Sequence, residues 1–444
     1  MSRNPPVAVK SRASLFRHRS FRLLFATRAA ANTANQMQAA AVGWMVYDLT
    51  GSALALGLIG LVQFFPPLCV TLFAGQVVDH YSRRLILSCC YVVELSVSLG
   101  LLALAIFFGR PVQLVFILLL VNAVARTFEG PTLQSLVATT VPRTLLMQAV
   151  SAHASAGKMS QLAGPILGGG LYGFGPGAAF GVCALLIAVA LIASLLLPIA
   201  PTTAERAKMT WTTLIAGLRF VWARPVLLGA MSLDLAATLF GGVTALLPIF
   251  ARDIFDIGSW GFGALRGAPA AGAVIVAAVL AHLSVTRASG RIMLGAVAVY
   301  GSATIAFGLS NHWGLAIALL CLIGAADMLS TVIRQSLIQF ATPDGMRGRV
   351  FAVNTLFVNC AGQLGTFESG VTAAWFGPIG SVVLGGAAVL GIVAFWAWRF
   401  SDLHRVERPD DVAHDRHFSV EGVDDFEGST GRIIRKTNTP LAGS

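Results

Sequence analysis

Long apolar stretches follow one another from about residue 21 to residue 400, separated by short breaks that often carry Gly, Pro or basic residues. The stretch 178–198 reads AAFGVCALLIAVALIASLLLP and has no polar face. A helix that crosses a bilayer needs about 20 mostly apolar residues, whereas a helix of a soluble protein keeps one polar face. The pattern therefore predicts twelve transmembrane helices, over 21–46, 55–78, 85–108, 112–138, 147–173, 177–198, 226–250, 260–283, 291–310, 313–340, 349–375 and 378–400.

The composition agrees with this pattern, since 56% of residues are hydrophobic, 11% are charged and the mean hydropathy is +0.76. We predict an all-α integral membrane protein. No small-residue cleavage site follows the first apolar segment, so we expect that segment to remain as a helix rather than to be removed as a signal peptide.

A net charge of +11 could indicate nucleic-acid binding, but the basic residues gather at alternate helix ends. One side of the predicted membrane holds Arg22, Arg83, Arg84, Arg219 and Arg347 among others, whereas the other side holds little beyond Arg110 and Arg252. The positive-inside rule then places both termini and the central loop on the cytoplasmic side of the cell inner membrane. We expect the lipid bilayer, and not nucleic acid, as the partner.

The two halves of the chain resemble each other at a shift of 201 positions. Gln134, Pro142 and Gly164 fall on Gln335, Pro343 and Gly365. Because each half has an even number of crossings, the halves are predicted to be parallel repeats, two pseudo-symmetric six-helix bundles. The predicted domains are a cytoplasmic arm (1–20), an N-terminal bundle (21–198), a cytoplasmic linker with an amphipathic helix (199–225), a C-terminal bundle (226–400) and a disordered cytoplasmic tail (401–444).

The loop after the second segment reads GQVVDHYSRRLIL. Gly75, Asp79, Arg83 and Arg84 in this spacing resemble the loop signature of the major facilitator superfamily, in which the loop closes the cytoplasmic side. Ser82 stands where the family often has Gly, and His80 where a basic residue is usual.

Two further motifs extend the resemblance. Arg126, Glu129 and Gly130 resemble the fourth-helix motif of the superfamily, which is linked to proton movement. The run SQLAGPILGGG contains Gly164, Pro165, Gly168 and Gly169 at the spacing of the antiporter motif of the fifth helix, with serines at two positions where the family has Gly.

The resemblance covers residues from about 18 to 400, including YDLTGSALALGLIGLVQFFPPL and ATPDGMRGRVFAVN. It is closest to the bacterial multidrug and siderophore exporter branch, which includes enterobactin exporters. The resemblance implies export across the inner membrane coupled to proton entry, and it does not identify the substrate. We expect a monomer that works by alternating access and exports a small amphipathic organic molecule.

Ionisable residues inside the membrane are functional candidates, because their burial is costly without a partner. Depth along the helices predicts pairs between Asp234 and Arg334, between Arg266 and Glu368, and between Glu129 and Lys158. Beyond these six and Arg126, the set contains Arg28, Glu94 and Asp327.

Such pairs either hold helices in register or include an acid that takes up a proton when its partner leaves. For the second interpretation we favour Glu129 and Asp327, since both lie near mid-depth and Asp327 is the repeat mate of Arg126. Asp234 and Glu368 are further candidates for proton coupling.

Amides on the first two helices are candidates to line an aqueous substrate cavity. They are Asn32, Asn35, Gln36 and Gln63, and nearby aromatic side chains could supply apolar walls. The alternative is that the amides bond to neighbouring helices and the aromatic rings pack against lipid.

Other classes of protein fit the sequence less well. A facilitator or importer of the same fold remains an alternative. A lipid-modifying membrane enzyme is disfavoured because the eight histidines are scattered, and ATP drive because no Gly-rich loop with a Lys is present. The six cysteines lie within apolar segments at spacings that suggest neither a metal site nor disulfides, so we expect no metal and no cofactor.

Overall fold

A computed structural model describes residues 15–107, 111–198, 211–282 and 289–399. All secondary-structure elements of these described residues are helices. The helices are α1 (Arg19–Thr50), α2 (Ala53–His80), α3 (Arg83–Ile106), α4 (Val112–Thr140), α5 (Leu146–Tyr172), α6 (Pro176–Leu195), α7 (Trp211–Trp222), α8 (Pro225–Phe240), α9 (Val243–Ile249), α10 (Gly258–His282), α11 (Ser289–Gly308), α12 (Trp313–Ala341) and α13 (Asp344–Arg399). A π-helical turn, Phe250–Ile254, continues α9.

Within the described ranges, nine helical stretches are long and apolar enough to cross a membrane. One of them, Met346–Arg399, is twice the necessary length and bends at Gly377, whose φ of 76° is readily adopted only by glycine. It therefore crosses twice. Helices α1 and α5 are also long enough but carry more polar residues. Together these helices make the twelve crossings that the hydropathy pattern predicts.

The helices assemble as two bundles. In the first, α1 packs against α5 and α6, and α4 packs against α2 and α3. In the second, α12 packs against α10 and α11, and α13 packs against α8 and α11. We call the end of the molecule at which α1 begins the near end, and the end at which α1 terminates the far end.

Close contacts join the two bundles in the far half of the molecule. Helix α2 packs on α13, where a Cβ added to Gly57 would lie 2.9 Å from Cα of Gly370. Helix α5 packs on α10, where a Cβ added to Gly169 would lie 2.7 Å from Cα of Gly263. Glycine at these positions lets the backbones touch, which closes the far end.

The crossing predicted over 226–250 is present, but its helix is interrupted. The helix breaks at Gly241 and Gly242, and α9 begins again at Val243. A Cβ added to Gly241 would collide with the hydroxyl of Tyr300, and one added to Gly242 with the backbone of Gly365. The chain can interrupt its helix here because these residues have no side chains.

The predicted short helix between the bundles is present as α7. Gly217 on this helix packs against the backbone of Arg349 at the near end of α13. The predicted arm is described only from residue 15, and the predicted tail and the first part of the linker lie outside the described residues.

Candidate transport site

Two glutamates lie inside the N-terminal bundle. Glu94 on α3 is 1% exposed, and its Oε2 accepts a hydrogen bond of 3.1 Å from Nδ2 of Asn35 on α1. Glu129 on α4 is 6% exposed, and its Oε1 accepts a hydrogen bond of 3.1 Å from the hydroxyl of Tyr91. Within the described chain, Oε1 of Glu94 is buried without a hydrogen-bond partner.

These two carboxyl groups are close enough for the charge of Glu129 to act on Glu94. Two neighbouring carboxylates in an interior of low dielectric constant are costly when both are ionised. The charge of Arg126, whose side chain is exposed, also acts on Glu94. This arrangement can hold a proton inside the bundle.

An ion pair lies inside the C-terminal bundle. Nη1 of Arg334 on α12 lies 2.6 Å from Oδ2 of Asp234 on α8, and both side chains are less than 10% exposed. The same Nη1 donates a hydrogen bond of 3.3 Å to Asn354, and Nη2 donates one of 3.4 Å to Thr331. The predicted contact between Asp234 and Arg334 is therefore confirmed.

Two backbone carbonyls near the break between α8 and α9 accept hydrogen bonds from side chains of other helices. Gly241 lies at the break itself, whereas the carbonyl of Thr244 in α9 has no helical donor because Pro248, four residues on, has no N–H. The hydroxyl of Tyr300 on α11 donates a hydrogen bond of 2.8 Å to the carbonyl of Gly241. Nη1 of Arg266 on α10 donates one of 3.2 Å to the carbonyl of Thr244. Broken helices at mid-depth form the binding sites of many transporters.

A cavity of about 230 Å³ opens beside this break, inside the C-terminal bundle. Its walls are apolar side chains of α10, α11 and α12 together with a few polar groups. The polar lining includes Asp234, Thr238, Tyr300, Asp327, Ser330 and Thr366. An apolar pocket with a few convergent polar groups is the usual form of a small-molecule site.

Asp327 and Lys158 come from different bundles and interact across the space between them. Both side chains are exposed, and the charge of Lys158 acts on Asp327 without an ion pair between them. The charge of Arg334 acts on Asp327 from one helical face, as their seven-residue spacing predicts. Charged groups of both bundles thus face the region between them.

Two predicted pairs are wrong. Arg266 binds the carbonyl of Thr244, whereas Glu368 accepts a hydrogen bond of 3.4 Å from Ser369. Glu129 binds Tyr91, and Lys158 is exposed instead of meeting it. Equal depth along two helices did not suffice, because the rotation of each helix decides which neighbour a side chain meets.

The predicted amide row on α1 divides between two environments. Asn35 turns into the bundle and binds Glu94, so it does not line an open cavity. Asn32 is half-buried and donates a hydrogen bond of 3.4 Å to the carbonyl of Gly157 on α5. Gln36 packs against Gly164, and Gln63 on α2 is half-buried.

Arg28 lies one turn before Asn32 on α1 and also packs against α5. Its Nη2 would lie 3.5 Å from a Cβ added to Gly157. Its Nε is buried without a hydrogen-bond partner among the described residues. Arg28 is therefore a half-buried cation near the near end, and within the described residues it is paired with none of the candidate acids.

The fifth-helix motif is a packing surface. Gly164 meets Gln36 and Gly168 meets Met37, both on α1, and Gly169 meets Gly263 on α10. Pro165, which also belongs to the motif, is buried within α5. The motif packs α5 against α1 of its own bundle and against α10 of the other bundle, and none of its residues lines the cavity in the C-terminal bundle.

The predicted gating loop lies between α2 and α3. Arg83 is half-buried and Arg84 is exposed, and Ser82 caps α3 by accepting a hydrogen bond of 3.3 Å from the amide of Leu85. Gly75 and Asp79 belong to α2, but the burial of Gly75 and the side chain of Asp79 lie outside the described part of the structure.

Sequence reasoning missed three contributors to these clusters. Tyr91, Tyr300 and Asn354 bind Glu129, the broken helix and Arg334 respectively. A tyrosine inside an apolar segment is the available signal, since a buried hydroxyl usually finds a partner. Across the described ranges, no group of three or more His, Cys, Asp and Glu side chains could hold a metal ion.

Two helical bundles around charged groups at mid-depth are the architecture of many membrane transporters. The family and the relatives that match this chain are transporters and not enzymes. The chain belongs to the transmembrane secretion effector family of the major facilitator superfamily, whose model matches residues 10–435. The predicted superfamily is thereby confirmed.

Curated relatives and solved structures agree with this family. The chain is 25% identical over 371 residues to the enterobactin exporter EntS of Citrobacter koseri, covering 82% of this chain and 84% of that protein. It is 25% identical over 378 residues to EntS of Escherichia coli O1:K1 / APEC, covering 84% and 90%.

Two solved structures share the fold. The nucleoside transporter NupG has a TM-score of 0.66 at 15% identity, covering 86% of this chain and 98% of NupG. A bacterial homologue of the human lysosomal transporter Spinster, in an inward-facing and unoccupied conformation, has a TM-score of 0.66 at 12% identity, covering 89% and 97%.

Proposed function

We propose that this protein exports a small amphipathic organic molecule from the cytoplasm across the inner membrane in exchange for protons. The protein works as a monomer. Its near end faces the cytoplasm, because most of the basic residues of the protein lie at that end. The relatives that are named enterobactin exporters support the direction of transport.

One observation carries the proposal: the far end is closed by backbone contact while ionisable groups of both bundles are exposed between them. Gly57 meets Gly370 and Gly169 meets Gly263 in the far half. Lys158 and Asp327 are exposed, and the charge of Lys158 acts on Asp327 across the space between the bundles. This is the arrangement expected of a transporter open to the cytoplasm and ready to load its substrate.

The coupling proton is held by carboxyl groups inside the bundles. Glu129 and Asp327 are the main candidates, and Glu94, on which the charge of Glu129 acts, adds a second acid to the N-terminal site. Asp234 and Glu368 are secondary candidates. Asp234 is engaged by Arg334, and Glu368 is bonded to Ser369. A carboxyl group that is neutral on one side of the cycle and ionised on the other can carry a proton against substrate.

Proton flux in vesicles tests this function. The purified protein is reconstituted with a pH-sensitive dye inside, and lipophilic cations, fluorescent dyes and catecholate siderophores are added in turn. We expect at least one of these classes to cause proton movement that depends on the protein. Substrate movement without proton movement would instead indicate a facilitator or importer of the same fold.

Neutralised variants connect the function to the proposed acids. Glu129→Gln and Asp327→Asn are expected to abolish uphill export while the amount of protein in the membrane stays at the wild-type level. Asp256→Asn is the matched control, because Asp256 is exposed at the far end and makes none of these contacts. Full gradient-driven export by both site variants would remove these residues from the mechanism.

A further inference from the structure

The short helix between the bundles, α7, presents one face that the described residues leave uncovered. Ile215, Arg219 and Trp222 recur at spacings of four and three residues, so they share a face of the helix. Ile215 is 50% exposed, Trp222 is 70% exposed, and Arg219 is exposed between them. The opposite face is fixed, because Gly217 and Val221 are buried against the C-terminal bundle. Helix α7 therefore offers a mixed basic and apolar surface at the near end.

Arginines at this end of the C-terminal bundle lack acidic partners among the described residues. Arg349 on α13 lies next to α7, because its backbone carbonyl is 3.0 Å from a Cβ added to Gly217. The guanidinium of Arg349 is exposed and donates a hydrogen bond of 3.5 Å to the sulfur of Met346. Arg219 on α7 and Arg291 on α11 are exposed as well. The described side chains thus leave this surface with an excess of positive charge.

An acidic segment of the chain has the complementary composition. Residues 410–427 contain seven acidic residues and one basic residue, although the whole chain has only 20 acidic residues. Phe418, Val423 and Phe426 are interleaved with these acids. The segment lies outside the described residues. Its carboxylates suit exposed arginines, and its phenylalanine and valine side chains suit the apolar part of the α7 face.

The position of this segment along the chain allows it to reach α7. Arg399, the last described residue, lies at the near end, and Asp410 follows eleven positions later. An extended chain of that length covers about 35 Å, which is more than the width of three packed helices at about 10 Å each. A partner tethered at short range acts at an effective concentration of the order of 1 mM, which favours it over a separate protein.

We propose that the exposed face of α7, formed by Ile215, Arg219 and Trp222 and extended by Arg349, is the docking site of the chain's own acidic segment 410–427. Ion pairs with the two arginines and apolar contacts with Trp222 hold the segment. Exposed ion pairs are individually weak, so the segment binds through several of them at once and salt weakens its binding. The inference does not depend on the proposed export function, because it concerns the cytoplasmic surface and no transported substrate.

Photocrosslinking from α7 tests the docking in the full-length protein. p-Benzoylphenylalanine is placed at Ile215, and each nanodisc of phosphatidylcholine and phosphatidylglycerol holds one copy, so that a second copy cannot react. Mass spectrometry is expected to find most adducts in peptides of residues 410–427. About 1 M salt, which shortens the Debye length to about 3 Å, should lower their yield about fivefold.

The competing occupant of this face is the anionic lipid surface, and the same experiment distinguishes the two. Adducts with lipid alone, or tail adducts that do not respond to salt, would overturn the inference. The same photoreactive group at Phe174, which is 76% exposed at the far end, is the control and should give no adducts with 410–427. Tail adducts from Phe174 at the yield found from Ile215 would also overturn it.

Charge reversal shows whether the contact is specific. Arg219→Glu together with Arg349→Glu should lower the yield of tail adducts about fivefold, since opposed charges become like charges. Conversion of Asp424, Asp425 and Glu427 to lysine should do the same. The two sets combined should restore the adducts, because acids and bases have then exchanged sides. An unchanged yield with either set alone, or a combined variant that stays low, would overturn the assignment.

A matched control places charge elsewhere in the same tail. Thr437→Lys with Thr439→Lys adds positive charge beyond the acidic segment and should leave the adduct yield at the wild-type level. Thermal unfolding at the wild-type temperature shows that α7 and its bundle remain folded in each variant. A loss of adducts in this control as large as in the reversed acidic segment would show that net tail charge, and not the segment 410–427, determines the contact.

Discussion

The hydroxyl of Tyr47 on α1 donates a hydrogen bond to the carboxylate of Asp253 on the π-helical turn after α9, and so connects the two bundles at the far end. The neighbouring residues repeat the connection, because Nη1 of Arg252 lies 3.1 Å from Oδ1 of Asp48. The guanidinium of Arg252 also lies 5.9 Å from the centre of the Tyr47 ring. Adjacent residues on one bundle thus bind adjacent residues on the other.

Removal of this hydrogen bond should favour opening of the far end. Tyr47→Phe or Asp253→Ala removes a hydrogen bond to a charged group, worth about 1.5 kcal/mol, and every 1.4 kcal/mol shifts a conformational equilibrium about tenfold. Because Asp253 is about half exposed, we expect a shift of about three- to tenfold toward the open form.

Electron paramagnetic resonance distances between spin labels at Leu49 and Asp256, one on each bundle, measure this shift. Thr50→Val is the control, since the hydroxyl of Thr50 bonds to Val46 of its own helix. An unchanged distance distribution in both Tyr47→Phe and Asp253→Ala, with the control also unchanged, would show that this contact does not set the equilibrium.

A side chain at the closest crossing of α2 and α13 should separate the bundles. Gly57→Val puts a branched side chain where even a Cβ would lie 2.9 Å from Gly370, and overpacking of this kind costs about 1–3 kcal/mol. We expect transport to fall on the order of tenfold. Gly181→Val is the matched control, because a Cβ there meets nothing within 4 Å. Equal transport by the two variants would argue against a functional role for the crossing.

The ion pair between Asp234 and Arg334 should behave as a mutually dependent pair. Asp234→Asn leaves the Arg334 guanidinium, which is 3% exposed, without its counter-charge, and such a loss costs about 3–5 kcal/mol of unfolding free energy. Thermal unfolding in detergent should show a clear loss of stability. The double variant with Arg334→Met should be more stable than Asp234→Asn alone, and additive losses would contradict direct coupling.

Glu94→Gln should uncouple transport without unfolding the protein. A glutamine oxygen can still accept the hydrogen bond from Asn35, but it cannot hold the proton that we assign to the pair of Glu94 and Glu129. We expect downhill exchange of substrate to continue and uphill accumulation in vesicles to be lost. Ser88→Ala on the same helix removes only a hydroxyl contact with Ser194 and should keep both activities. Uphill accumulation by Glu94→Gln at the wild-type rate would exclude Glu94 from coupling.

The helices were predictable because a bilayer requires long apolar segments of nearly constant length. The contact of Asp234 with Arg334 was also predictable, since both residues lie toward the near end. The break at Gly241 and Gly242 was not, because the apolar sequence continues through it. The wrong pairing of Arg266 with Glu368 has another origin. Pro248 provides no N–H for the carbonyl of Thr244, and Arg266 binds that carbonyl instead of Glu368.

Roles inside the N-terminal bundle were only partly predictable. Glu129 was recognisable from its spacing to Arg126, whereas the contact of Glu94 with Asn35 depends on how α1 and α3 are rotated. Asn35, which was predicted to line the cavity, is instead hydrogen-bonded to the buried acid Glu94. Sequence spacing shows which residues share a face of one helix. Which residue of another helix they contact follows only from the packed structure.

Alternating access of the two bundles is tested most directly by a tether at the near end. Ala154 on α5 and Thr331 on α12 each lie one turn toward the near end from Lys158 and Asp327. Cysteines at these two positions, in a chain without its native cysteines, can be joined by a short or a long bismaleimide. The short tether should abolish substrate-driven proton flux, whereas the long tether and the unjoined protein should retain it. Full flux with the short tether in place would contradict alternating access.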